Sequence, residues 1–138
     1  MGTYKELKVW QESRILYKMT YELASRLPAN EEYALSSQIR RASISISSNI
    51  AEGQGRGSVK DYIHFLYNAR GSAYELESQI IACGDLRLFD QETLRAWYEQ
   101  AQTVIRLLNG LIQALSKNIS REVREEVAAY GSAIDPEP

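Results

Sequence analysis

Between residues 31 and 53 the apolar side chains Leu35, Ile39, Ala42, Ile46 and Ile50 recur at intervals of 4, 3, 4 and 4. At about 100° per residue, these positions form one stripe along a helix. The same run contains "SISISSNIAEGQGRGS", residues 43–58, whose alternating Ser and Ile followed by glycines also reads as a strand entering a phosphate-cradling loop. A strand would need about 17 residues to use the whole stripe, far beyond the usual five or six. The helix accounts for the stripe and predicts its own ends. Asn30 follows Pro28 as N-cap, Glu31 and Glu32 suit the positive end of the dipole, and Gly53 is the left-handed stop.

The glycine segment "GQGRGS" matches neither G-x-x-x-x-G-K-[ST] nor G-x-G-x-x-G, and no β-α-β unit surrounds it. The adjoining segment, "SVKDYIHFL", opens a helix with Ser58 as N-cap and Asp61 at the capping-box position. The glycines therefore read as an interhelical turn. Ser58, Arg56, Lys60 and free backbone N–H groups at one helix N-terminus leave an anion site as the alternative.

Three further segments carry the same period. Residues of about 5–27 place Val9, Leu16, Thr20, Leu23 and Leu27 on one stripe, closed by "LPAN". Residues of about 58–83 place Tyr62, Phe65, Leu66, Ala69, Ala73, Leu76 and Ile80 inward, with Gly84 as the stop. Residues of about 91–118, capped by Asp90, place Leu94, Trp97, Ala101, Ile105, Leu108, Ile112 and Leu115 inward. Short connections make sequential helices antiparallel, so the expected fold is all-α, an up-down-up-down four-helix bundle over residues 1–118. Residues 119–138 form an acidic C-terminal tail expected to extend the fourth helix in part, with its last six or seven residues disordered.

At 138 residues the chain has room for one domain. No apolar run approaches the roughly 20 residues of a membrane span, and "MGTYKELKVW" lacks a signal-peptide core. Cys83 is the only cysteine, which excludes an internal disulfide and a cysteine zinc cage and suits a buried thiol in a cytoplasmic, bacterial-type protein. Net charge is −2, but residues 1–70 sum to +3 and residues 71–138 to −5. This balance argues against coating nucleic acid over the whole surface and permits a local basic patch.

Catalytic chemistry has little to work with. His64 is the only histidine and falls roughly opposite the core stripe of its helix. Residue 61 is Asp, so the Glu-x-x-His pattern of di-iron bundles is absent. Glu75 and Glu77 lie two apart on different sides of a helix, which is wrong for paired carboxylates. No enzyme, catalytic residue, metal or cofactor is expected.

The outward positions are more informative. Ile44 lies about 180° from the core stripe of its helix, beside Tyr33, Ser37 and Ala51. Ile63, Tyr67, Tyr74 and Ile81 form a second stripe on the third helix, with Arg70 among them. Leu7, Trp10, Tyr17 and Tyr21 lie opposite the core side of the first helix. Scattered exposed apolar groups are ordinary, but three helices doing this together predict self-association. The expected interface comprises Trp10, Tyr17, Tyr21, Ile44, Ile63, Tyr67 and Tyr74.

With the helices placed, the run "LSSQIRRASISISSNIAEGQGRGSVKDYIHFLYNARGSAYELESQI" resembles the four-helix-bundle proteins encoded within intervening sequences of bacterial 23S ribosomal RNA genes. The likeness rests on Leu35, Gln38-Ile39-Arg40, Ala42, Ser45-Ile46, Asn49 through Gly53, Gly55-Arg56 and Ser58. It continues through Phe65-Leu66, Ala69, Gly71-Ser72 and Glu75-Leu76-Glu77, and with "LKVWQES" covers about residues 5–115. The resemblance implies a bundle that assembles into a ring-like homo-oligomer, a homopentamer. A more distant likeness is to the accessory variability determinant of diversity-generating retroelements, which binds a reverse transcriptase and nucleic acid.

The motif also has physical roles to fill. Ala42, Ala51, Ala69, Gly71, Ser72 and Ala73 are small enough to let helix backbones approach. Glu52 is expected to pair with Arg56, or with Arg40 or Arg41 of a neighbouring copy. An oligomer would multiply Arg40, Arg41, Arg56, Lys60 and Arg70 into a surface for RNA or DNA phosphates, with Tyr67 and Tyr74 stacking on bases. The alternative is a protein scaffold that docks on a reverse transcriptase or other protein and uses those arginines in its own interfaces. No membrane partner is expected.

Overall fold

The apolar stripes become four α-helices. The computed structural model describes residues 2–133, the side chains of 32–33, 122–124, 126–127 and 129–133 excepted. Helix α1 spans Lys8–Ala24, α2 Ser37–Gln54, α3 Val59–Asp85 and α4 Gln91–Ala133. A 3₁₀ turn, Tyr4–Glu6, precedes α1, and the link from α1 to α2 contains a 3₁₀ turn, Ala29–Glu31, followed by a π turn, Glu32–Ser36. No helix among the described residues is long and apolar enough to cross a membrane.

Cross-helix hydrogen bonds set direction and register. Ser72 donates to Ser45 at 2.9 Å and Gln79 reaches Gln38 at 3.5 Å, so α3 runs antiparallel to α2. Arg70 donates to Asn109 at 3.0 Å and Gln102 donates to Glu77, so α4 runs antiparallel to α3. On the far side Gln54 bonds to the Gly2 carbonyl and Ser36 to that of Ala24, which makes α1 antiparallel to α2. The helices therefore pack in the cyclic order α1–α2–α3–α4, as an up-down four-helix bundle.

The core is the set of stripes read from the period. Leu16, Ile39, Ile46, Ile50, Leu66, Leu76, Trp97 and Leu108 are fully buried. A buried polar link joins α1 to α4. The Trp97 indole N–H donates to Thr20 Oγ1 at 3.0 Å, and Thr20 donates onward to the Leu16 carbonyl at 2.8 Å. Each buried polar group there has a partner, which is what burial requires.

Several expected helix ends move. Ser58 caps α3 by accepting from the Asp61 N–H at 3.1 Å, and Asp90 caps α4 by accepting from the Thr93 N–H at 2.7 Å. The hydrogen bonds from Thr93, its backbone N–H first, hold the Asp90 carboxyl below its usual range. Asn30, by contrast, sits inside a 3₁₀ turn and does not cap α2. Gly53 does not terminate α2 in a left-handed conformation; it is buried inside the helix, where its bare backbone faces α3. Gly84 does not stop α3 either. The Leu88 N–H reaches back to the Cys83 carbonyl and the Arg87 N–H to that of Gly84, the bond pattern of a Schellman motif. Its left-handed residue is Arg87, with φ of 55°, where glycine is usual.

Helix α4 is longer than its expected end at 118, reaching Ala133. At 1.5 Å per residue it spans about 64 Å against about 40 Å for α3. Residues 134–138, on which most of the expected tail disorder falls, lie outside the described residues.

Candidate nucleic-acid and self-association surfaces

The five expected phosphate-binding residues do not form one patch on a single chain. Arg40 lies on α2 with its guanidinium 6.0 Å from the Tyr21 ring centroid of α1. Arg41, on the same helix, is exposed and reaches Ser37 Oγ at 3.4 Å. Arg56 stands 16 residues beyond Arg40, about 24 Å along the axis if the helical rise is extended. It bonds Glu52 at 2.8 Å and covers the Phe65 ring at 4.7 Å, so the expected Glu52 pairing is made within the chain. Lys60 is exposed in the first turn of α3. Arg70 is half-buried on the other side of the bundle, bonded to Asn109 and lying 4.9 Å from the Tyr67 ring centroid.

The expected interface residues divide into two faces. Along α1 and α2, Tyr21 and Ile44 are 43% and 38% exposed, and Tyr17 is half-buried beside them. Along α3 and α4, Tyr67, Tyr74 and Ile81 are 47%, 45% and 50% exposed. Because α1–α2 and α3–α4 are opposite edges of the square, these faces lie on opposite sides of the bundle.

Three outward assignments are corrected. Ile63 belongs to the core at 8% exposure, because α3 packs on both α2 and α4 and so buries a wider arc than one stripe. Leu7 is half-buried against the core, across a groove from Leu107 and Leu111. Trp10 is also half-buried, edge-on to Tyr4 at 5.0 Å and packed on the core, with Arg14 over its ring. Gly71 is corrected too. It opens no approach within the chain, since a Cβ built there meets nothing within 4 Å.

Tyr98 and Asn109, absent from the residues expected at either surface, extend the α3–α4 face onto α4. Tyr98 is 38% exposed and lines a shallow groove with Ile81, Gly84, Leu94 and Arg95. The signal for them is a second stripe on the fourth helix, as on the third, which the inward stripe alone does not reveal.

Groups with possible chemistry are dispersed. Cys83 is buried, and burial, then the charge of Glu31, pushes its thiol up to about 11. His64 is exposed and meets Phe65 edge-on at 5.7 Å. Glu77 is held by Gln102, whereas Glu75 is exposed. Among the described residues, no three or more His, Cys, Asp or Glu side chains are grouped to hold a metal ion.

The fold has a solved counterpart. It is similar to a crystal structure of a protein of unknown function from the S23 ribosomal protein family of Bacteroides thetaiotaomicron VPI-5482. The TM-score is 0.70 at 25% identity, over 75% of this chain and 97% of the other. No curated protein matches. A family model described as 23S rRNA-intervening sequence protein matches residues 5–110, the region from the 3₁₀ turn before α1 to the middle of α4. With the motif of α2 and α3, the bundle and that match in agreement, the chain belongs to the 23S rRNA-intervening sequence protein family.

Proposed function

We propose that this chain is a non-enzymatic, self-associating helical bundle that serves as a nucleic-acid-binding accessory protein, with RNA as its nucleic acid. The observation that carries the reading is the pair of opposite outer faces, each bearing exposed tyrosine and isoleucine with an arginine seated on a tyrosine ring. Water penalises such surface on a lone bundle, and copies of the chain would cover it. A ring, five copies by resemblance, would repeat the exposed Arg41 and Lys60 at each subunit and collect charges that one chain holds far apart. Ten such charges would give binding that weakens steeply with salt.

A non-enzymatic role is supported by the buried thiol of Cys83 and the divergence of Glu75 and Glu77. A second reading, a scaffold for protein partners without nucleic-acid contact, is favoured by the intrachain partners of Arg56 and Arg70.

Light scattering together with salt-titrated binding of labelled RNA and DNA tests both readings. The proposal expects a mass that is a multiple of the 15.7 kDa chain, and RNA retention that falls with salt. Arg41→Glu combined with Lys60→Glu should weaken RNA binding at unchanged mass. An oligomer that retains no nucleic acid at low salt would leave the scaffold reading, and a 15.7 kDa monomer would end the ring.

A further inference from the structure

Residues 71–138 carry a net charge of −5, yet no Asp or Glu stands between Glu99 and Glu122. The cations of that window are Arg106, Lys117 and Arg121. With Gly110 and Gln113 they follow steps of 4, 3, 4 and 4, the period of the core stripes. At about 100° per residue these five positions fall within an arc of about 80° on α4. All five are exposed, and the arc lies opposite the buried Trp97, Leu108 and Ile112. From Arg106 to Arg121 the stripe is about 22 Å long.

The first turns of the same arc alternate in sign through Glu92, Arg95 and Glu99, as solvated helix faces do. Past Glu99 the arc is cationic only. Among the described residues Arg106 and Lys117 enter no ion pair. Arg121 meets Glu125 through Nε at 3.6 Å, a pair so exposed on both sides that water takes most of its worth.

Two neighbouring features narrow the partner. Lys117 and Arg121 border an open hollow of about 540 Å³ together with Gln113, Ser116 and Ser120. Hydroxyl and amide groups there suit a ribose 2′-OH, while the cations suit phosphate. On α3, Tyr67 is 47% exposed, with Arg70 at 4.9 Å from its ring centroid. The bonds from Arg70 to Asn109 and from Gln102 to Glu77 fix the antiparallel register, which puts Tyr67 level with Ile112 and Gln113. A ring in water beside a line of cations is the arrangement that stacks an unpaired base while the backbone follows the charges.

We infer that the outer face of α4 is a track for single-stranded RNA, with Arg106, Lys117 and Arg121 on its phosphates and Tyr67 stacked on a base. This goes beyond the reading above, since one chain carries the whole track and no ring is needed to assemble it. Lys117 and Arg121 lie past residue 110, where the family match ends, so the shared motif does not supply it. The partner is a nucleic acid because cations repeated along one straight face match a repeated phosphate, and it is unpaired because a base inside a duplex cannot reach Tyr67.

The test is fluorescence anisotropy of a labelled, mixed-sequence RNA strand of about 20 nucleotides with the full chain, from about 50 to 200 mM salt. Arg106→Gln, Lys117→Gln and Arg121→Gln together remove three phosphate contacts, so the log–log salt slope should become shallower by about 2. The fourfold salt change then costs this variant about 16-fold less affinity than it costs the wild type. Tyr67→Ala should weaken binding about tenfold at every salt concentration with the slope unchanged, and Tyr67→Phe, which keeps the ring, should bind as wild type. The positions are exposed, so each variant is expected to keep its helical circular dichroism and, by light scattering, the wild-type mass. Should the triple variant fail to fold, Lys117→Gln with Arg121→Gln replaces it, with a slope change of about 1.4.

A triple variant with wild-type slope and affinity overturns the track, and loss of RNA by Arg41→Glu with Lys60→Glu would then leave RNA binding on the earlier surface. A triple variant of altered mass also overturns it, because the cations would be acting through assembly. Equal binding of an RNA duplex, equal binding of the same sequence as DNA, or full binding by Tyr67→Ala each refutes the single-stranded RNA assignment. A wild type that retains no RNA removes this track and the reading above together. A monomeric wild type that shows the predicted slope change upholds the track while ending the ring.

Discussion

Gly53 and Gly110 offer a matched pair of substitutions whose signs should differ. Both glycines lie within helices, so alanine gains about 1 kcal/mol of helix propensity at either position. At Gly110 the new Cβ meets nothing within 4 Å, and that gain should survive. At Gly53 the new Cβ would stand 2.7 Å from Phe65 Cβ, 3.2 Å from Tyr62 Cδ1 and 3.2 Å from the Tyr62 carbonyl oxygen. Carbon atoms prefer about 3.5–4.0 Å, so α2 and α3 must separate by the better part of an ångström. Neither Phe65 Cβ nor the Tyr62 carbonyl can swing aside as a side-chain tip could. Overpacking of this kind costs about 1–3 kcal/mol, which exceeds or cancels the propensity gain. Gly53→Ala should therefore be less stable than wild type by about 1 kcal/mol, and Gly110→Ala more stable by about 0.5–1 kcal/mol. For a chain of this size, 1 kcal/mol moves the melting temperature by about 3–5 °C. Urea and thermal melts at one fixed protein concentration, which holds any self-association constant, read both values. Equal stabilisation of the two variants would refute the reasoning, because it would mean that α2 and α3 are not in backbone contact at Gly53.

Local geometry sets three further outcomes. Thr20→Val keeps the shape of the core but strands the Trp97 indole N–H, and urea melts should show a loss of about 1–3 kcal/mol; a neutral result would contradict the bond. Arg87→Gly removes a side chain from left-handed backbone and should stabilise the α3–α4 turn by about 1 kcal/mol in the same assay, whereas destabilisation would mean that the Arg87 side chain makes a contact of its own. Cys83 is protonated in the fold up to about 11, whereas its ordinary value is 9.0, so the unfolded chain ionises first. That contribution to stability is complete below pH 9.0 and is lost as pH rises toward about 11. Urea midpoints at pH 8 and 10.5 should thus fall further for wild type than for Cys83→Ala, and equal falls would place the thiol in water.

The helices, their core stripes and two of the caps were legible along the chain because each depends on a local repeat. Leu35 to Ile50, Leu66 to Ile80 and Trp97 to Ile112 carry the 3.6-residue period, and Ser58 and Asp90 cap backbone only three residues away. The motif of α2 and α3 also pointed to the family, since it is a property of order in sequence. Tertiary structure decided what depends on a neighbouring helix. Ile63 and Tyr67 are one turn apart on the same outer stripe, yet one is buried and the other exposed, because the width of the buried arc is set by how α4 packs on α3. Gly53 and Gly71 are both glycines of the shared motif, but one touches α3 and the other touches nothing, a difference created only by the bundle's register. The arginines could likewise be counted in the sequence and not located as a group. Arg40 and Arg70 lie 30 positions apart in sequence and on opposite faces of the fold. Periodicity determines which side of each helix is apolar; only packing determines which apolar side remains in contact with water.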